Sequence, residues 1–224
     1  GTLGPEGQTN LAIVSSVVHL GANPPLLAFI SRPPSVDRHT LEYLTHSGYF
    51  TINHVHAGIA EAAHQTSARY AREVSEFAAV GLTAEYGSVH PAPYVAESQL
   101  KIGLALRDSK PIELNGTVMV IGEIVEIMLP DNALAEDGFV DLAQMDTVTI
   151  GGLDGYYRVE PLFRLSYAKP EQPPKRLICS RVRFWSLDIS ARMGWILSAM
   201  RAPLRGGAGF ENRRPRKSAP GHAT

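Results

Sequence analysis

Apolar and β-branched residues fall in short runs separated by turn residues, a pattern that predicts strands joined by tight loops rather than long helices. Gly4-Pro5-Glu6-Gly7-Gln8 has turn chemistry and feeds an apolar run over residues 10–20, read as a strand carrying Ser15 and Ser16 in its middle. Asn23-Pro24-Pro25 marks a corner, because proline cannot donate to a ladder, and residues 26–30 resume as a buried strand. Residues 37–47 place Leu41 and Leu44 at helical spacing, offer Asp37 as an N-cap and stop at Gly48, which predicts a short helix. Strand character returns over 49–55. Residues 57–79 are Ala-rich and free of proline, broken only by Gly58, and predict one or two helices. β-branched residues dominate 99–106 and 116–129, with Asp108-Ser109-Lys110-Pro111 and Asn115-Gly116 as the intervening turn signals. A last strand is expected over 162–167, before a polar, proline-rich stretch at 169–175 that reads as a linker closing the domain near residue 170. With no βαβ period and no internal repeat, the pattern favours an antiparallel barrel or sandwich with a few helices.

Composition adds one asymmetry. The 224 residues are 44% hydrophobic and 19% charged with a net charge of -1, an ordinary globular balance that argues against a surface built throughout for nucleic acid. Residues 175–224, however, hold 11 of the 21 basic residues and only Asp188 and Glu211 among the acids, so that +9 there opposes -10 in the rest. This tail also holds both tryptophans. Apolar spacing over 184–200 admits a basic amphipathic helix on a membrane or nucleic-acid surface, but the Gly, Pro and Arg content of 202–222 favours an unstructured extension. The lone Cys179 excludes an internal disulfide and a Cys-rich zinc module, and it suits a reducing, cytoplasmic setting. No apolar run approaches the roughly 20 residues that span a bilayer. Gly1 stands where an initiator Met would, almost inside a turn, so an N-terminal segment is expected to be missing.

The start of the helix near residue 37 carries the sharpest chemical signal. Arg38 and His39 fall in its first turn, where the helix dipole is positive and acidic residues are favoured. A bound anion resolves the conflict, because free backbone N–H groups, the Thr40 hydroxyl and the Arg38 guanidinium would converge on it, with Arg32 as a second cation. The competing reading pairs Arg38 with Glu42 at i,i+4 on the helix surface. Ser15 and Ser16 are the second anomaly: hydroxyls inside a strand need partners, either a ligand's polar edge or, more simply, the sheet itself. His54-x-His56 offers no further ligand at a useful offset, so no metal site is expected. Gly151-Gly152-Leu153-Asp154-Gly155 lacks the spacing of a phosphate-binding loop and reads as a plain loop, and no covalent hydrolase set can be assembled.

Taken together, NLAIVSSVVHLGANPPLLAF at residues 10–29, Arg38-His39-Thr40, Gly48-Tyr49-Phe50-Thr51-Ile52-Asn53 and Ala71-Arg72-Glu73-Val74-Ser75-Glu76-Phe77 resemble, in order, the motifs of the flavin reductase-like family of FMN-binding split barrels, in its flavoredoxin and flavoprotein oxygenase-like branch. The resemblance covers residues 1 to about 170 and leaves 171–224 as a basic tail. It implies a mainly β fold, a six-stranded antiparallel Greek-key barrel with peripheral helices. It also implies a homodimer with FMN between subunits; no nucleic-acid partner is expected for residues 1–170, and no membrane span. It puts the cofactor on Ser15, Ser16, Val17, Arg32, Arg38 and Thr40, with Arg38 and Thr40 toward the phosphate, and suggests His19 near the ring. The implied activity passes electrons from NADH or NADPH through FMN to a small-molecule acceptor; a flavin-binding electron carrier without turnover is the alternative. Family members often carry a nicotinamide-contacting His in a later hairpin, where this chain has Asn115-Gly116-Thr117.

Overall fold

The computed structural model describes residues 1–33 and 39–177, so Asp37, Arg38, Cys179 and the basic tail from 178 lie outside the described residues. The chain opens with β1 (Thr2–Leu3) and β2 (Thr9–Asn10), paired across the expected turn, in which Gly4 N–H donates to the Gln8 carbonyl at 2.8 Å. There follow β3 (Val17–Ala22), β4 (Pro25–Ser31), α1 (His39–Ser47), β5 (Tyr49–Asn53), α2 (Ala60–Gln65) and α3 (Glu76–Val80). Then come β6 (Ala84–Glu85), β7 (Tyr94–Val95), β8 (Lys101–Ile112), β9 (Thr117–Met128), β10 (Val148–Gly151), β11 (Gly155–Arg158), β12 (Arg164–Leu165) and β13 (Arg176–Leu177).

The fold is mainly β. One antiparallel sheet has the order β3-β4-β9-β8-β5. The start of β10 meets the segment just after β5 through the His56–Thr147 bridge and a bond from Val148 N–H to the Val55 carbonyl at 3.0 Å. Helix α1 ends where Gly48 takes φ +73°, a conformation that a side chain would oppose.

Three expectations need correction. Residues 11–16 are not in a ladder: the strand expected over 10–20 breaks into β2 and β3, because the backbone between them bonds to side chains instead. Asp108-Ser109-Lys110-Pro111 is not a turn but part of β8, paired with residues 118–121 of β9. Pro111 is tolerated there because β5 reaches only to the Tyr49–Ala105 pair, which leaves that end of β8 with one neighbour. The stretch at 169–175 does not simply lead away, since the chain doubles back and pairs β12 with β13, Ser166 N–H donating to the Lys175 carbonyl at 2.9 Å.

The main core gathers Phe29, Leu44, Phe50, Leu104, Val120 and Met145, all at most 4% exposed, with Phe29 and Phe50 edge to face at 5.5 Å. A second cluster, of Leu11, Phe77, Leu82 and Val95, packs α3 against the segment after β2. Over the sheet, Tyr94 Oη donates to Glu126 Oε2 at 2.6 Å, so the His90 contact at 2.8 Å must run from His90 Nε2–H to the tyrosine oxygen. That assignment makes the unpartnered, buried His90 Nδ1 a bare acceptor, and burial holds the imidazole neutral by lowering its pKa. Gly103 makes room for the pair, since a Cβ there would fall on the His90 ring and the Tyr94 hydroxyl.

Candidate functional site

The segment 11–16 is held out of the sheet by side chains. Leu11 N–H donates to the buried Glu76 carboxylate at 3.0 Å, and Ile13 N–H to Thr66 Oγ1 at 2.9 Å. Between this segment, the end of β4, the start of α1, the loop after α2 and the turn joining β10 to β11 lies a cavity of about 880 Å³. That size is within the range of small-molecule and cofactor sites. Its floor is apolar (Ile13, Val14, Phe29, Ile150), and Arg32, Thr40, Arg69 and Arg72 gather on its wall.

Ser15, Ser16, Arg32 and Thr40 line this cavity together. The two serines differ. Ser16 Oγ donates to the Ile30 carbonyl at 3.3 Å and accepts Ile30 N–H at 3.2 Å, so it fastens the segment to β4, whereas Ser15 Oγ has no partner among the described residues. Neither lies inside a strand, which corrects the sequence expectation for both. Val17 is in β3 and lines a smaller cavity, of about 430 Å³, behind segment 12–15. His19 is exposed on β3 and lines neither of these two cavities. Arg38 lies outside the described residues.

Thr40 is oriented by Asn10. The Asn10 amide is buried and donates to Thr2 Oγ1 at 3.0 Å and to Thr40 Oγ1 at 2.9 Å. With its oxygen receiving that bond, the Thr40 hydroxyl hydrogen is left to donate. Glu42, the sequence partner considered for Arg38, is occupied: Arg72 grips it in a bidentate pair, both bonds 2.8 Å, and the guanidinium holds its carboxyl below the usual range. Arg32 and Arg69 have no ion-pair partner among the described residues. Also lining the cavity, His64 Nδ1 and the Tyr156 hydroxyl lie 3.0 Å apart, with burial raising the Tyr156 pKa and Asp154 adding to it. Among the described residues no group of three or more His, Cys, Asp or Glu side chains converges as a metal site requires.

The lining of the cavity thus combines cationic and hydroxyl-bearing side chains with apolar ones. That donor set fits a planar heterocycle with an anionic tail. The profile of the Flavin reductase like domain matches residues 1–145. The chain belongs to the flavin reductase-like family. A Shewanella frigidimarina protein, described as a flavin reductase with a split barrel domain, is 55% identical over 75% of this chain and 83% of its own, with a TM-score of 0.72. Flavoredoxin of Desulfovibrio vulgaris is 25% identical over 76% of this chain and 87% of its own, at a TM-score of 0.62. An uncharacterized Deinococcus radiodurans protein is 27% identical over 168 residues, 71% of this chain and 73% of its own.

The fold of this flavin reductase-like protein is therefore the split barrel expected from its motifs. Sequence reasoning missed Ser67, Arg69, Tyr156 and the role of Glu76. A hydroxyl and basic cluster, Thr66-Ser67-Ala68-Arg69, right after the Ala-rich helix was a readable signal for the first two. Nothing local marks Tyr156, which meets His64 across 92 residues.

Proposed function

We propose that this protein is an FMN-dependent oxidoreductase that takes electrons from NADH or NADPH and delivers them to a small-molecule acceptor. The observation that carries the reading is the meeting, in one cavity, of an oriented Thr40 donor with Arg32, Arg69 and the Ser15 hydroxyl, which have no ion-pair or hydrogen-bond partner among the described residues. Thr40, Arg32 and Arg69, joined by Arg38, hold the phosphate, and Ser15 and the backbone of segment 12–16 meet the polar edge of the ring. A bound flavin supplies the redox chemistry, and the protein supplies orientation, exclusion of water and stabilisation of charge on the reduced ring. Ser16 acts one step back, by fixing that segment to β4.

The proposed assembly is a homodimer in the cytoplasm, with residues 1–170 as the flavin domain. The edge strand β3 supports a self-association surface: Val17, Val18 and Leu20 are 41%, 49% and 45% exposed, apolar and next to the cavity wall. Rapid mixing of the FMN-loaded protein with NADH or NADPH tests the function. Bleaching of the oxidised flavin band is the expected result. Its absence with both donors would overturn turnover and leave the alternative, a flavin-binding electron carrier. One observation favours that alternative: the turn between β8 and β9 carries no histidine, and Asn115 Oδ1 is spent on Thr117 N–H at 3.1 Å.

A further inference from the structure

The donors assigned to the flavin, namely Thr40, Arg32, Arg69 and Ser15, leave two polar side chains of the same cavity without a task. They are His64, in the last turn of α2, and Tyr156, on β11. Their contact spans 92 residues: His64 Nδ1 and Tyr156 Oη are 3.0 Å apart, with the rings edge to face at 5.8 Å. The β10–β11 ladder sets Tyr156 directly opposite Ile150, so both project from one face of the hairpin, and Tyr157 projects from the other. Leu153, at the turn, joins Ile150 and Tyr156 in the cavity lining. The hairpin thus offers an apolar surface with a hydroxyl set in it.

The direction of the His64–Tyr156 bond decides what that hydroxyl can do. With the neutral imidazole protonated on Nδ1, the ring donates to Tyr156 Oη, and the phenol proton is left to donate to a ligand. Burial, with the Asp154 charge adding to it, holds the Tyr156 pKa above its ordinary value, so the phenol keeps its proton at neutral pH. His64 is exposed, so water can replace a proton that the pair gives up. A plain tether between the hairpin and α2 would need neither feature, since apolar contact would serve. The cavity is also large: 880 Å³ lies near the top of the roughly 300–1,000 Å³ typical of small-molecule sites, as a site where cofactor and acceptor meet requires.

We propose, resting on the flavin reading of this cavity, that the acceptor is a conjugated carbonyl compound of the quinone class. Its ring lies on Ile150 and Leu153, its carbonyl oxygen takes a proton from Tyr156 Oη, and His64 positions the tyrosine and returns its proton. Reduction of a quinone to a hydroquinone consumes two electrons and two protons. Both electrons and the first proton arrive together as hydride from the reduced cofactor and form one O–H bond. The electron pair displaced onto the other oxygen is protonated by Tyr156, whose O–H bond breaks. The tyrosinate takes the Nδ1 proton of His64, the imidazole gains one from water, and exchange with water restores the Nδ1–H form. The cofactor is left oxidised, and no other reductant is needed. A positioned general acid contributes roughly 10²–10⁴-fold to such a step.

The test starts from the FMN-loaded protein reduced with dithionite, so that it does not depend on nicotinamide use. Recovery of the oxidised flavin band is followed after mixing with duroquinone or with ferricyanide. Duroquinone must gain protons, whereas ferricyanide gains electrons alone. Tyr156→Phe should lower the ratio of the duroquinone rate to the ferricyanide rate by about 100-fold or more. It should also weaken equilibrium binding of duroquinone to the oxidised protein about 2- to 12-fold, the loss of one neutral hydrogen bond. His64→Ala should lower the same ratio, and His64→Asn, which keeps an N–H donor, should restore part of it. An unchanged ratio in Tyr156→Phe, equal slowing with both acceptors, or no reoxidation of the parent by duroquinone would overturn the assignment and leave the pair as a tether. A protein that takes up no FMN would overturn the flavin reading and this assignment together.

Discussion

Replacing Thr40 with Val isolates the phosphate end of the site. The two side chains have the same shape, but the hydroxyl that Asn10 orients toward the cavity becomes a methyl group. A hydrogen bond to a charged partner is worth roughly 1.5–3 kcal/mol, so the dissociation constant for FMN should rise about 10- to 150-fold. Riboflavin lacks the phosphate and should lose less than about twofold. The substitution has a second effect that must be kept apart from the first: one N–H of the buried Asn10 amide loses its acceptor, at roughly 1–3 kcal/mol of stability. Quenching of flavin fluorescence, measured well below the unfolding midpoint of each variant, separates binding from folding. Thr40→Ser keeps the hydroxyl and should bind FMN nearly as the parent does. Equal weakening for FMN and riboflavin, or none for either, would refute the assignment of Thr40 to the phosphate.

Other outcomes follow from the same structure. Arg69→Ala and Arg38→Ala should each weaken FMN more than riboflavin and flatten the salt dependence of FMN binding, as titration between low and moderate ionic strength will show. Gly103→Ala should cost roughly 1–3 kcal/mol by overpacking, because His90 or Tyr94 must move; chemical denaturation measures it. Burial holds His54 and His90 below their ordinary pKa of 6.5. The folded state therefore binds fewer protons than the unfolded chain, and stability, full above about pH 6.5, should fall as pH drops below that value. Tyr94, Glu126 and the stacked ring of Tyr49 surround His90, and Glu126 partly opposes the shift, so His90→Gln should flatten the acid side of the stability profile only in part. Phe50→Ala should lower stability by roughly 3–5 kcal/mol, with a matching fall in denaturation midpoint, given its 3% exposure among core side chains.

Features dictated by local chemistry could be read from the sequence. The turn at Gly4 to Gln8, the proline corner between β3 and β4, the Gly48 stop of α1 and the Asn115-Gly116 turn all stand where the residues predict them. Features decided by distant partners could not. Asp108 to Pro111 has turn composition, yet β9 supplies a ladder that outweighs it over those residues. Ser15 and Ser16 sit in an apolar run that looks like one strand, but Glu76 and Thr66, more than 50 positions away, draw off its backbone. Glycine-rich residues 151–155 read as a loop and prove to be the turn of a β10–β11 hairpin over the cavity.

The site was legible in part for the same reason. Arg38 and His39 at the helix start and the Ser15-Ser16 pair in an apolar run break local preferences, Thr40 and Arg32 were named as further donors beside the first of these, and Thr40, Arg32 and the two serines do line one cavity. Arg72 gives no such signal, and only the fold brings it onto Glu42, 30 residues earlier in the chain. Arg69 and Tyr156 obey local rules and gain their meaning only from what folds against them. Val17, the first residue of β3, lines the smaller cavity and is 41% exposed.

The most direct measurement of the central claim is a crystal structure of the protein grown with FMN. The account places the phosphate within hydrogen-bonding distance of Thr40 Oγ1 and of Arg69, with the ring along residues 12–16 and Ser15 at its polar edge. A phosphate bound away from Thr40, or a flavin outside the 880 Å³ cavity, would contradict it.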